Sequence, residues 1–73
     1  MKKYIFTVRL EDKEIGLIEV EAESDMNNND GMRLFLTQLS KDDTSGMFFW
    51  NGNILEKSDL RNITVSVNTV YMA

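Results

Sequence analysis

The chain contains no cysteine and no histidine. The first absence excludes disulfides and thiolate metal sites. The two together remove the side chains that carry most nucleophilic, general acid–base and zinc chemistry. Glycine is sparse, at 16, 31, 46 and 52, and none of the four belongs to a G-x-x-x-x-G-K or G-x-G-x-x-G phosphate loop. Positive charge is scarce too, with Lys2, Lys3 and Arg9 as the only basic cluster. Long hydrophobic runs are missing. After Lys2-Lys3 the apolar stretch is Tyr4-Ile5-Phe6, and Arg9, Glu11 and Asp12 break up the residues beyond it. A secretory signal or a membrane span needs a longer run. The expectation is a cytoplasmic protein with no membrane partner.

What remains is a globular composition. In 73 residues, 42% are hydrophobic and seven are aromatic, enough to form a core. No composition break divides the chain, so a single domain over 1–73 is expected. A chain this short buries little surface, and self-association is a common remedy.

The net charge of −4 is unevenly placed. Residues 1–10 carry three positive charges and no acid, whereas residues 11–30 carry eight acids against Lys13 alone.

Periodicity gives the elements. Tyr4, Phe6, Val8 and Leu10 alternate with Ile5, Thr7 and Arg9, which predicts a strand over 3–11. Ile18, Val20 and Ala22 alternate with Glu19, Glu21 and Glu23, which predicts a second strand over 15–23. A hairpin with a two-residue loop at Asp12-Lys13 would set carboxylates among the core aromatics. A one-residue slip pairs Val8 with Ile18, Phe6 with Val20 and Tyr4 with Ala22, and keeps one face apolar. That register calls for a three- or five-residue loop, and a bulge is expected near Gly16.

A helix comes next, with Met32, Phe35, Leu36 and Leu39 as the buried stripe and Leu34 pointing away from it. Three asparagines and Gly31 are poor helix interior residues, so the helix is expected to start near Asp30, with Ser24 as the alternative start. Asn28, Asn29 and Asp30 are the candidate caps. Lys41 suits its last turn, and Thr44-Ser45-Gly46 ends it. Asn51-Gly52 between Met47–Trp50 and Asn53–Leu55 is a strong hairpin signal, pairing Phe49 with Ile54 and Phe48 with Leu55. Ser58-Asp59-Leu60 is a turn, and 62–72 is the last strand. The expected fold class is α+β, in the order ββαβββ: a mainly antiparallel five-strand sheet with one helix packed on one face.

Candidate chemistry is thin. Asp25-x-Asn27-x-Asn29 matches the start of a calcium loop, but the sixth and twelfth positions hold Asp30 and Leu36 where glycine and glutamate are needed. The segment fits a polar loop whose side chains cap the helix. No metal, cofactor or catalytic residue is assigned. A carboxylate-dependent hydrolase would need a cleft between two acids, and one helix on a small sheet leaves little room for it. Phe48 and Trp50 could stack bases of single-stranded nucleic acid, yet no basic footprint surrounds them and the acids would repel phosphate.

Two features point to protein contacts. Glu19, Glu21 and Glu23 form an acidic row, which either keeps a strand edge solvated or docks on a basic partner. The aromatic hairpin is apolar on both faces, and a single helix covers one face of a sheet. Phe48, Trp50 and Leu55 are therefore the candidate exposed anchors. Self-association as a homodimer is the simplest such contact, with the last strand pairing across a two-fold axis. The expectation is a non-enzymatic protein-interaction module, with the general character of an accessory or inhibitor protein of bacteria or their phages.

Overall fold

The computed structural model describes residues 1–72. Alternating apolar residues form strand β1 (Lys2–Leu10), which pairs antiparallel with β2 (Lys13–Ala22). Helix α1 (Asn28–Gln38) is next, then a two-residue strand β3 (Ser40–Lys41). Strands β4 (Phe48–Trp50) and β5 (Asn53–Leu55) form the second hairpin. A 3-10 turn over Asp59–Asn62 leads into β6 (Ile63–Met72). The fold is α+β, but the strands divide into two antiparallel sheets of three, ordered β2-β1-β6 and β3-β4-β5. The expected single five-strand sheet is thereby corrected. The short aromatic hairpin pairs with Ser40–Lys41, just after the helix, and not with the long strands. No helix among the described residues is long and apolar enough to cross a membrane.

The β1–β2 hairpin keeps the expected face but not the expected partners. Phe6 pairs with Ile18, Tyr4 with Val20 and Val8 with Gly16, two residues from the pairing read in the sequence. The loop is the tight two-residue Glu11-Asp12, with Glu11 at φ 57°. A shift between Val8 and Arg9 inserts Ile15 as an extra residue beside Gly16. This bulge restores the alternation that a two-residue loop alone would invert.

The main core lies on one face of the long sheet. Tyr4, Phe6, Val8, Ile18, Ile63 and Val65 are buried there together with Phe35 of the helix. The helix comes so close that a β carbon at Gly31 would meet the Phe6 ring and stand 2.8 Å from Val65 Cγ1. Gly31, a poor helix former, is therefore the residue that permits this packing. The buried stripe keeps Phe35, with Met32 and Leu39 packed against the core as expected, but it is rotated toward Gly31 and Leu34, so that Leu36 faces solvent.

The helix starts earlier than expected, at Asn28, because Asn27 caps it. Asn27 Oδ1 accepts from the Asp30 amide at 3.1 Å, and Asp30 Oδ2 accepts from the Asn27 amide at 2.9 Å. This reciprocal capping box satisfies two donors that the first turn leaves free. Lys41, expected in the last helical turn, lies in β3 instead.

Candidate interaction surface

The hairpin β4–β5 buries one of its faces and exposes the other. Asn51 and Gly52 both adopt positive φ, at 49° and 77°, so the two-residue turn closes as its sequence demands. Phe49 then pairs with Ile54 and Phe48 with Leu55. The hairpin stacks on the same face of the long sheet as the helix, over the bulge of β2. Its anchor is Trp50, whose ring meets Phe35 edge-on at 5.2 Å between centroids. Trp50 Nε1 donates to Gln38 Oε1 at 3.1 Å. The indole also lies over Gly16, where a β carbon would come within 2.6 Å of two ring carbons. Asn51 Nδ2 and Asn53 Nδ2 both donate to the Ile15 carbonyl, at 3.3 and 3.1 Å. The bulge thus offers the carbonyl, and the hairpin asparagines take it.

This docking decides which hairpin face is inside. Trp50 is 5% exposed and Leu55 1%, and Phe48 is half-buried with Lys41 Nζ 5.9 Å from its ring centre. The three expected anchors therefore form the inward set. Phe49, at 38%, and Ile54, at 64%, form the outward one. The premise that one helix leaves the hairpin face open fails because the hairpin itself is part of the covering layer. Buried as it is, with Gly16 beneath it, Trp50 also offers no free face for a nucleic-acid base to stack on.

The acidic row lies elsewhere. Ile18 and Val20 face the covered side of the sheet, so Glu19 and Glu21 face the open side, and both are exposed. Glu23 comes just after β2 and is exposed as well. Lys3 Nζ stands 3.4 Å from Glu19 Oε2, a diagonal neighbour across the β1–β2 pair. Leu17 is exposed on this open side, and Ile5 is half-buried beside it. The structure does not bring the acids and the outward hairpin residues into one surface.

Two side chains of the polar loop before the helix, Asp25 and Asn27, are committed to partners. Asp25 is ion-paired to Lys2 and accepts from the Tyr4 hydroxyl at 3.4 Å. The hydrogen bond from Lys2, and then its charge, hold the Asp25 carboxyl below the usual carboxylate range. The same pair raises Lys2. Asp42 is also lowered, by the Thr44 amide at 2.9 Å and the Ser45 hydroxyl. No group of three metal-ligating side chains occurs among the described residues.

Sequence reasoning recognised both hairpin faces but assigned exposure to the wrong one. The signal for the other choice was Gly16, whose missing side chain leaves space for one large ring. No family model, no curated protein and no solved structure matches this chain.

Proposed function

We propose that the chain is a non-enzymatic protein-interaction module that binds its partner through the outward ridge Phe49–Ile54. The observation that carries this reading is the exposed pairing of these two residues on a hairpin pinned from beneath. An exposed aromatic ring on a rigid support loses little freedom on binding and adds large apolar contact area. Met47, half-buried beside the same hairpin, extends the apolar surface with an adaptable side chain. An accessory or inhibitor role fits such a compact contact.

Glu19, Glu21 and Glu23 have a separate part. They lie on the far side of the long sheet, at least one sheet spacing of about 10 Å from the hairpin layer. The Debye length at physiological salt is about 8 Å, so their field is mostly screened at the ridge. Their place on an edge strand suits another task, since carboxylates there keep β2 from pairing with a foreign strand. Steering of a basic partner by these acids belongs to low salt.

The test compares capture by the wild-type chain with capture by the double variant Phe49→Ser, Ile54→Ser. Both residues are exposed, so Trp50 fluorescence should report an intact fold. A partner held by the wild type and lost from the variant supports the ridge. Equal capture by the two proteins rejects it. The variant Glu19→Lys, Glu21→Lys should bind as the wild type does at physiological salt.

A further inference from the structure

We infer that β6 pairs with β6 of a second copy of this chain, antiparallel across a two-fold axis, to make one six-stranded sheet.

The long sheet has two edges, β2 and β6, and they differ in chemistry. β2 carries Glu14, Glu19 and Glu21, with Glu23 just beyond it. β6 is Ile-Thr-Val-Ser-Val-Asn-Thr-Val-Tyr-Met, ten residues without a single charge. A strand edge presents unpaired amides and carbonyls, and charged side chains are the usual means of keeping other strands away. One edge of this sheet has that protection and the other lacks it.

The helix narrows the place of contact. Asn28 Oδ1, at the start of α1, accepts from the Val67 amide at 2.8 Å, which occupies one outward group of β6. Beyond it, Asn68–Met72 runs past the helix, and Tyr71 and Met72 are 55% and 74% exposed. A bulge falls at Asn68, between the pairs Ile5–Thr69 and Phe6–Val67. The segment after the bulge is the part of the edge clear of this contact and with the most exposed side chains.

The chemistry of that segment favours its own copy. It has no charge to select a foreign strand of opposite sign and none to repel itself. Antiparallel pairing centred on Val70 places Tyr71 opposite Thr69 of the second copy, and the two-fold repeats the contact. An aromatic against a β-branched residue is a favourable cross-strand pair. A two-fold contact of identical segments also closes, so growth stops at the dimer. Each chain carries a net charge of −4, so long-range repulsion opposes association and salt relieves it. This inference is independent of the hairpin ridge, which stays exposed in the dimer.

Sedimentation equilibrium across a concentration series tests the proposal. The wild type should form dimers whose association tightens as salt is raised to physiological strength. Amide exchange over Asn68–Met72 should slow as dimers form. The variant Tyr71→Lys, Met72→Lys changes two exposed side chains and should weaken association by at least about tenfold, with unchanged Trp50 emission. A wild type that remains monomeric at about 1 mM overturns the proposal, and this includes the case where β6 instead takes a strand from another protein. Dimers that survive the Lys variant overturn it as well. So do dimers that dissolve on Phe49→Ser, Ile54→Ser, which would move self-association to the ridge.

Discussion

The indole of Trp50 rests on the bare α carbon of Gly16, so close that a β carbon there would stand 2.6 Å from Cη2 and Cζ3. This contact joins the small sheet to the large one. Gly16 has no positive φ to explain its glycine, so the requirement is space. Gly16→Ala should push the ring away and destabilise the fold by about 1–3 kcal/mol, the usual range for overpacking. Chemical denaturation checks the size. The Trp50 emission should also shift to the red, because the ring loses its cover. An unchanged stability would mean that the hairpin can slide without loss.

Gly31 offers a sign test. In an exposed helix interior, glycine to alanine stabilises by roughly 0.5–1 kcal/mol. Here the added carbon meets the Phe6 ring and Val65, both in the core. Overpacking of about 1–3 kcal/mol outweighs the propensity gain, so Gly31→Ala should lower the midpoint of unfolding. A higher midpoint would show that the helix can withdraw from the sheet at little cost.

Asn27 and Asn29, at the start of the helix, should respond unequally. Asn27→Ala removes the cap and should cost about 1 kcal/mol. Asn29→Ala lies within the first turn, with no side-chain hydrogen bond among the described residues, and should cost less than about 0.5 kcal/mol. Urea midpoints of the two variants decide this. Equal losses would remove Asn27 from its special role.

The Lys2–Asp25 pair predicts a pH dependence. Asp25 is lowered from the ordinary carboxylate value, so its contribution is complete above that value. The contribution disappears as pH falls through the depressed value of the folded state. Lys2 is raised, so its share is complete below the ordinary lysine value and is lost as pH rises through the higher folded value. Wild type should therefore exceed Asp25→Asn in melting temperature at neutral pH, and the two should converge in strong acid. A gap that does not close on acidification would mean that Asp25 acts through something other than its charge.

Some of this architecture was legible in the residues, and the limits have physical causes. Asn51-Gly52 closed its hairpin with the predicted partners, because positive φ at both positions is a local property of those two residues. The face parity of β1 and β2 was legible as well, since carboxylates cannot replace Ile18 and Val20 in the core. Their register was not, because a bulge exchanges one loop length for another without changing the apolar pattern. The candidate site was half legible. Phe48, Phe49, Ile54 and Leu55 were sorted into the right two sets, but the wrong set was expected outside.

The sequence alone determined the local features: alternation, the Asn51-Gly52 turn and the uneven charge. It also determined that β6 carries no charge and β2 carries several. Tertiary structure decided the rest, namely the division into two sheets, the rotation of the helix and the inward direction of Trp50. The physical reason is a symmetry in the pattern. A strand that is apolar on both sides has no local preference between them. The choice falls to distant partners with the matching shape, here the bare backbone of Gly16, the edge of Phe35 and the amide oxygen of Gln38.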